Sequence, residues 1–303
     1  MISPELELRD PLNGNRAALE RKRSASREWK AFWKNPLARF GVGGIIFLVL
    51  FTFVGPIFYH VNINQPHLLS TLQPPSARFP LGTDSLGRNY LARMMLGGQL
   101  SLEVGFAAAL MTTIIGVIYG LTSGLIGGAV DAIMMRLVDI FIAIPGLFLL
   151  LFVDSVFRPN AVLLVVVIAI LSWFGVARLV RSEVLSLKRR DYVEAARALG
   201  AGNWRIMIKH LLPNVMGVVI VNATFQVADA ILTVAALSFL GLGLPPPTPN
   251  WGQMLSSSMS YMFQNAWWLI YPPGLAILIV ELSVNFIGDA LRQAFDPRLR
   301  KSR

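Results

Sequence analysis

Three carboxylates, Asp139, Asp229 and Glu281, stand inside long apolar stretches, where an ionised group is expensive and needs a partner or a role. An acid at such a depth can pair with a cation, relay a proton, or stabilise a cationic solute in passing. Asp139 has Arg136 one helical turn away, so an internal pair is the plainer reading there. Asp229 and Glu281 fall near the middle of their runs, and Asn285, one turn after Glu281, extends a polar stripe on the same helical face. These three residues are candidates for lining a path through a membrane. The alternative is that each hydrogen-bonds to a neighbouring helix and only holds it in place. Other chemistry has few means. The chain has no cysteine, and its three histidines, His60, His67 and His210, are scattered without metal-ligand spacing. It has no GxxxxGK[ST] phosphate loop, no GxSxG, and no paired carboxylates beside a base in a polar segment. No catalytic residue and no metal site is expected.

The elements that would position these residues are membrane helices. With 54% hydrophobic and 15% charged residues, the 303-residue chain is too apolar for a soluble domain. Apolar runs at 41–59, 99–123, 133–155, 161–181, 212–241 and 267–290 are each long enough for a hydrocarbon core of ~30 Å. The expected fold class is an all-α polytopic membrane protein with six transmembrane helices. Residues 1–40 form a basic tail, with Trp29, Phe32 and Trp33 at the membrane interface; 41–98 hold the first helix and a polar, proline-rich loop; 99–291 hold the other five helices; 292–303 form a second tail. Gly105, Gly116, Gly120 and Gly124 permit close helix packing in the second run, and Pro145-Gly146 marks a kink in the third. Of 27 Lys and Arg, 23 lie in 1–40, 178–209 and 292–303 or at Arg136, whereas Arg78, Arg88, Arg93 and Arg158 fall in the alternate segments. That bias puts both termini and the 191–213 segment in the cytoplasm. The net charge of +10 is therefore topological, and nucleic acid is not an expected partner.

Residues 191–213 are helix-forming but too polar to span, although apolar runs flank them. Ala195, Ala196 and Leu199 share one side, and Ala196 with Gly200 offers a small-residue pair for close backbone approach. Gly200 and Gly202 bend the chain, Asn203 is placed to cap a second short helix, and Pro213 suits the first turn of the next span. Such a helix cannot bury a core of its own. It rests either on lipid headgroups, anchored by Trp204, or on another protein. At 81–89, Asp84 can accept from the backbone two residues on, and Gly82 and Gly87 permit positive φ, which describes an ordered loop. The segment 244–252 is rigid and extended, with Trp251 as an interfacial anchor.

Glu194-Ala195-Ala196, Gly200 and Leu212-Pro213 resemble the EAA loop of ABC importer membrane subunits. Leu81 to Asn89, carrying Gly82, Thr83, Asp84, Gly87 and Arg88, is similar to the LGTD-x-x-GRD signature of C-type peptide-importer permeases, and 244–252 to their PPTPxWGxML pattern. The chain departs from that pattern at Asn89, where the family has Asp, and at Glu281, where related permeases are usually apolar; a polar residue at His210 fits the peptide branch. The resemblance runs from about Trp29 to Arg300. It implies a type I ABC importer permease fold in the cell membrane, with the EAA loop as the helix coupling to ATPases. It implies further a second, B-type permease, one or two kinds of cytoplasmic ATPase carrying the ATP and Mg, an extracytoplasmic solute-binding protein, and no cofactor on this chain. The expected cargo is a dipeptide or oligopeptide, with nickel or another small solute as the family's alternative. The rival class, an ion-driven secondary transporter, would show an inverted repeat and a coupling-ion site.

Overall fold

The structure, a computed structural model, describes residues 29–63, 65–157 and 160–295. Expectations for residues 1–28, which include Arg21-Lys22-Arg23, and for Arg158 and 296–303 fall outside them. The described chain is helical, and no strand forms among its residues.

Helix α1 (Pro36–Phe58) opens with the Asn35 side chain accepting from the Leu37 N–H at 3.0 Å and with proline in its first turn. It passes through a π turn at Leu50–Val54, just before Pro56. Proline offers no N–H to the Thr52 carbonyl, and the Gln99 side chain donates to that carbonyl at 2.8 Å instead. Helix α2 (Tyr90–Ile126) starts nine residues before the second apolar run, because Asn89 caps it, accepting from the Ala92 N–H at 3.0 Å.

The third run does not kink; it breaks. Helix α3 (Gly128–Ala143) ends where Ile144 and Pro145 take extended ψ of 120° and 118°, and α4 (Gly146–Val156) begins afresh. A residue before proline is disfavoured in the α region, so the helix stops there rather than bending. Helix α5 (Ala161–Leu187) is capped by Asn160, α6 covers Asp191–Ala198, and α7 runs from Asn203 to Phe239. Helix α8 (Trp251–Ser258) and helix α9 (Trp267–Phe295) complete the order. Helices α1, α2, α5, α7 and α9 are long and apolar enough to cross a membrane.

The glycine steps set the packing. A Cβ at Gly116 would stand 2.5 Å from the Val176 Cβ, one at Gly120 2.5 Å from the Ala177 carbonyl oxygen, and one at Gly124 2.7 Å from Val184. Only glycine admits so close a contact. Both series ascend together, so α2 and α5 run parallel, and the chain must return along the bundle between them. Helix α7 lies antiparallel to α2, with Ile231 against Gly105 and Val215 and Val219 clustered with Leu121 and Leu125. Helix α9 packs on α7 at Gly288 and Thr224, and α1 packs on α9 through Gly41 and Gly44 against Ser283. Phe32 is not interfacial: it is buried against Ala38, Ala290 and Ala294, while Trp29 and Trp33 stay exposed. Trp251 likewise belongs to the core. It is 0% exposed and donates its indole N–H to the Met94 carbonyl at 3.0 Å.

Candidate functional site

Val193 is the buried residue that anchors helix α6 in the bundle. Val193 is fully buried among Leu121, Val180, Val184 and Ile206, at the end where α2 and α5 finish and α7 begins. Asp191 and Glu194 fall in its first turn and Arg197 in its last, matching the helix dipole. Glu194, Ala195 and Leu199 are exposed, Leu199 by 89%, and Ala196 is half-buried. The helix stops in a Schellman motif: the Gly200 N–H donates to the Arg197 carbonyl and the Ala201 N–H to the Ala196 carbonyl, both at 3.0 Å. Gly200 sits at φ +80°, and a Cβ there would meet nothing within 4 Å. Glycine is thus required by the backbone, and its surface stands open. A short apolar face is left uncovered among the described residues.

Asn203 does not cap the next helix. Gly202 holds that position, and α7 continues unbroken from Asn203 through a π turn at Met207–Leu211. The expected second short helix is the first turn of a span. The π turn sits where Pro213 withdraws the N–H that the Lys209 carbonyl would have accepted, and the Asn214 side chain donates to the His210 carbonyl at 2.5 Å. His210 faces the Tyr192 ring at 6.3 Å, joining α6 to α7. Leu212 and Pro213 therefore shape the root of the elbow rather than its open face.

One anchor of this end escaped the sequence. Arg181 of α5 grips Asp131 of α3 with two bonds, Nε to Oδ1 at 2.5 Å and Nη2 to Oδ2 at 2.6 Å. Ser123 of α2 donates to the same carboxylate, and Lys188 donates to the Gly124 carbonyl at 2.8 Å. Three helices are tied together beside α6. Asp139 is paired as well, but with Arg178 of α5 and not with Arg136. Helices α3 and α5 lie side by side there, so the cross-helix partner is the one within reach.

The 81–89 loop lies at the other end of the bundle. Gly82 and Gly87 take φ of +67° and +73°. The Asp84 side chain accepts from the Leu86 and Arg88 N–H groups at 2.9 Å and from the Arg88 Nε at 2.7 Å, with Arg93 Nε at 3.6 Å. Thr83, fully buried, donates to the Ser70 carbonyl at 2.5 Å and accepts from the Gln73 N–H at 2.9 Å. Asn89 donates to the Tyr59 hydroxyl at 2.7 Å while capping α2, and for that double role an amide serves in place of a carboxylate. These residues spend their polar groups on the loop's own backbone and on the segments packed beside it.

Asp229 is exposed on α7, and Asn222, Gln226 and Thr233 share its face at helical spacing. Glu281, on α9, is half-buried, and its Oε1 accepts from Asn285 at 3.1 Å. Its Oε2 is enclosed without a hydrogen-bond partner among the described residues. Helices α7 and α9 pack together, so both carboxylates belong to one layer of the bundle.

Comparison with known proteins matches residues 90–301 to the model of binding-protein-dependent transport system inner membrane components, and 26–75 to that of the N-terminal TM domain of oligopeptide transport permease C. The oligopeptide transport system permease protein OppC of Bacillus subtilis is 39% identical over 270 residues, 89% of this chain and 88% of that protein. The di/tripeptide transport system permease protein DppC of Pseudomonas aeruginosa is 40% identical over 283 residues, 90% of this chain and 92% of that protein. A structure of the MetNI methionine ABC transporter in inward-facing conformations has a chain of similar fold, with a TM-score of 0.52 and 23% identity over 66% of this chain and 95% of that one.

Proposed function

This chain belongs to the family of binding-protein-dependent transport system inner membrane components, and from that membership we propose that it is one of two paired permeases of an ATP-driven importer of dipeptides or oligopeptides. Its relatives of nearly equal length are named for oligopeptide and di/tripeptide transport, which supports that cargo. In this reading six crossings, α1, α2, α3 with α4, α5, α7 and α9, place both termini and α6 in the cytoplasm. The parallel course of α2 and α5 and the bias of basic residues support that count.

The open face of α6 carries the proposal. It is apolar at Leu199, small at Ala195 and Gly200, and built on a helix that one buried valine and a π turn couple to the bundle. A cytoplasmic ATPase seats there, and its ATP-driven movement is passed through Val193 and Tyr192 to α7. The chain itself holds no nucleotide; ATP and Mg belong to the ATPases, and an extracytoplasmic binding protein delivers the solute to the opposite end. Asp229, Glu281 and Asn285 line the path and give a peptide's cationic amino group a brief electrostatic partner.

The test is uptake of a labelled dipeptide into vesicles holding the whole importer and its binding protein. Uptake should require ATP on the α6 side and persist when ion gradients are collapsed. Uptake driven by an ion gradient without ATP would place the chain in another class of transporter.

A further inference from the structure

The third apolar run poses a problem that the chain alone does not solve. Its break at Ile144-Pro145 falls at the centre of the run 133–155, which would place it near the middle of the hydrocarbon core. A helix ending and another starting leave carbonyls and N–H groups without ladder partners. The turn bonds from the Ile144 N–H to the Phe141 carbonyl at 3.2 Å, and from the Phe148 N–H to the Pro145 carbonyl at 3.1 Å, recover only part of them. Yet Ile140, Ile144, Pro145 and Phe148 are all exposed on this chain. Irregular backbone at this depth is not left facing lipid.

A second observation on the same flank points the same way. The ion pair between Asp139 and Arg178 has side chains 50% and 48% exposed, although Asp139 lies within the apolar run 133–155. Charged pairs at membrane depth face protein or a water-filled cavity. Lipid is therefore a poor cover for this flank on two independent counts. Water is a poor cover too: Ile133, Leu137, Ile140, Ile142, Ile144 and Phe148 are exposed by between 40 and 65%. Wetting that much aliphatic and aromatic surface costs ~25 cal/mol for each Å². Protein alone satisfies both the polar break and the apolar ring around it.

We infer that the flank formed by the α3–α4 break and the Asp139–Arg178 pair is the surface on which the second permease subunit packs. The inference rests on the reading that the chain works beside such a subunit. The partner supplies hydrogen-bonding groups for the open backbone at 143–146 and a polar contact for the ion pair, surrounded by apolar side chains that fill the spaces between Ile140, Ile144 and Phe148.

The experiment places a photoactivatable benzophenone side chain at Ile140, Ile144 or Phe148, one at a time, in the complete importer purified from membranes. Illumination should shift this chain on a denaturing gel to the summed mass of the two permeases, and mass spectrometry should find the second permease in the adduct. Adducts to phospholipid alone, or no adduct at any of the three positions, would overturn the inference. A second measurement guards against misfolding at the break: Ile144→Cys in this cysteine-free chain should react severalfold more slowly with both membrane-permeant and impermeant maleimides in the assembled importer than in the chain stripped of its partner. Rapid reaction with the impermeant reagent in the assembled importer would mean a water-filled cavity and would also overturn it. Absence of any second permease from the purified importer is a different failure, that of the functional reading itself.

Discussion

The Asp131–Arg181 clamp yields a prediction whose size can be worked out from its geometry. The Asp131 side chain is 12% exposed and that of Arg181 31%, with two bonds of 2.5 and 2.6 Å between them. Removing one partner of a fully buried pair costs ~3–5 kcal/mol, because the other charge is stranded. Arg181 keeps almost a third of its exposure, and solvent screening lowers the cost of Asp131→Asn to ~1–3 kcal/mol. Arg181→Gln should cost less, since Asp131 retains the Ser123 hydroxyl and can take up a proton, whereas a guanidinium cannot shed one. The double variant should be no worse than Asp131→Asn alone, giving a coupling energy of ~1–2 kcal/mol, above the ~0.5 kcal/mol expected between independent sites. The assay is reversible unfolding in mixed detergent micelles followed by tryptophan fluorescence. Free energies that simply add would refute the clamp.

Orientation is open to direct labelling, because Ser76, Ser186 and Ser257 are all exposed and the chain has no native thiol to interfere. Single cysteines at Ser76 and Ser257 should react with an impermeant reagent on intact cells and one at Ser186 should not; labelling of Ser186 from outside would reverse the topology. For the path, Asp229→Asn and Glu281→Gln should slow uptake of cationic peptides severalfold more than that of neutral ones, with assembly and basal ATP hydrolysis unchanged. Equal loss for both substrates with poor recovery of the importer would assign these carboxylates to packing.

Much of this architecture is legible in the residues because it rests on local rules. The fourfold glycine steps announce close packing, and α2 against α5 realises it at Gly116, Gly120 and Gly124. The polar interlude at 191–213 stands out between apolar runs, and Gly200 marks the end of α6 as its positive φ requires. What stayed hidden depends on partners distant in sequence. Asp131 lies fifty residues from Arg181 and Asp139 thirty-nine from Arg178, so a search one turn away finds Arg136 instead. Trp251 looks like an interfacial anchor until the chain folds back and seals it against Met94. Hydropathy shows the third run as continuous, because a window of side chains carries no record of the backbone that Pro145 breaks. The start of α2 is likewise masked by Arg93, which reads as polar loop and is in fact buried beside Asp84.

Whether a cytoplasmic ATPase seats on the open face of α6 is tested most directly by Leu199→Asp. Leu199 is 89% exposed and outside every core cluster, so the substitution should leave the permease folded and paired with its partner. Burying a leucine side chain is worth ~1.5–3 kcal/mol, so losing it and burying a charge instead should weaken docking by about tenfold to a hundredfold or more. In the reconstituted importer, the ATPase subunits should co-purify poorly, and both peptide uptake and the stimulation of ATP hydrolysis by loaded binding protein should fall by about an order of magnitude or more. A variant that retained its ATPases, its stimulation and its uptake would show α6 to be a helix resting on the membrane surface and contradict the coupling mechanism.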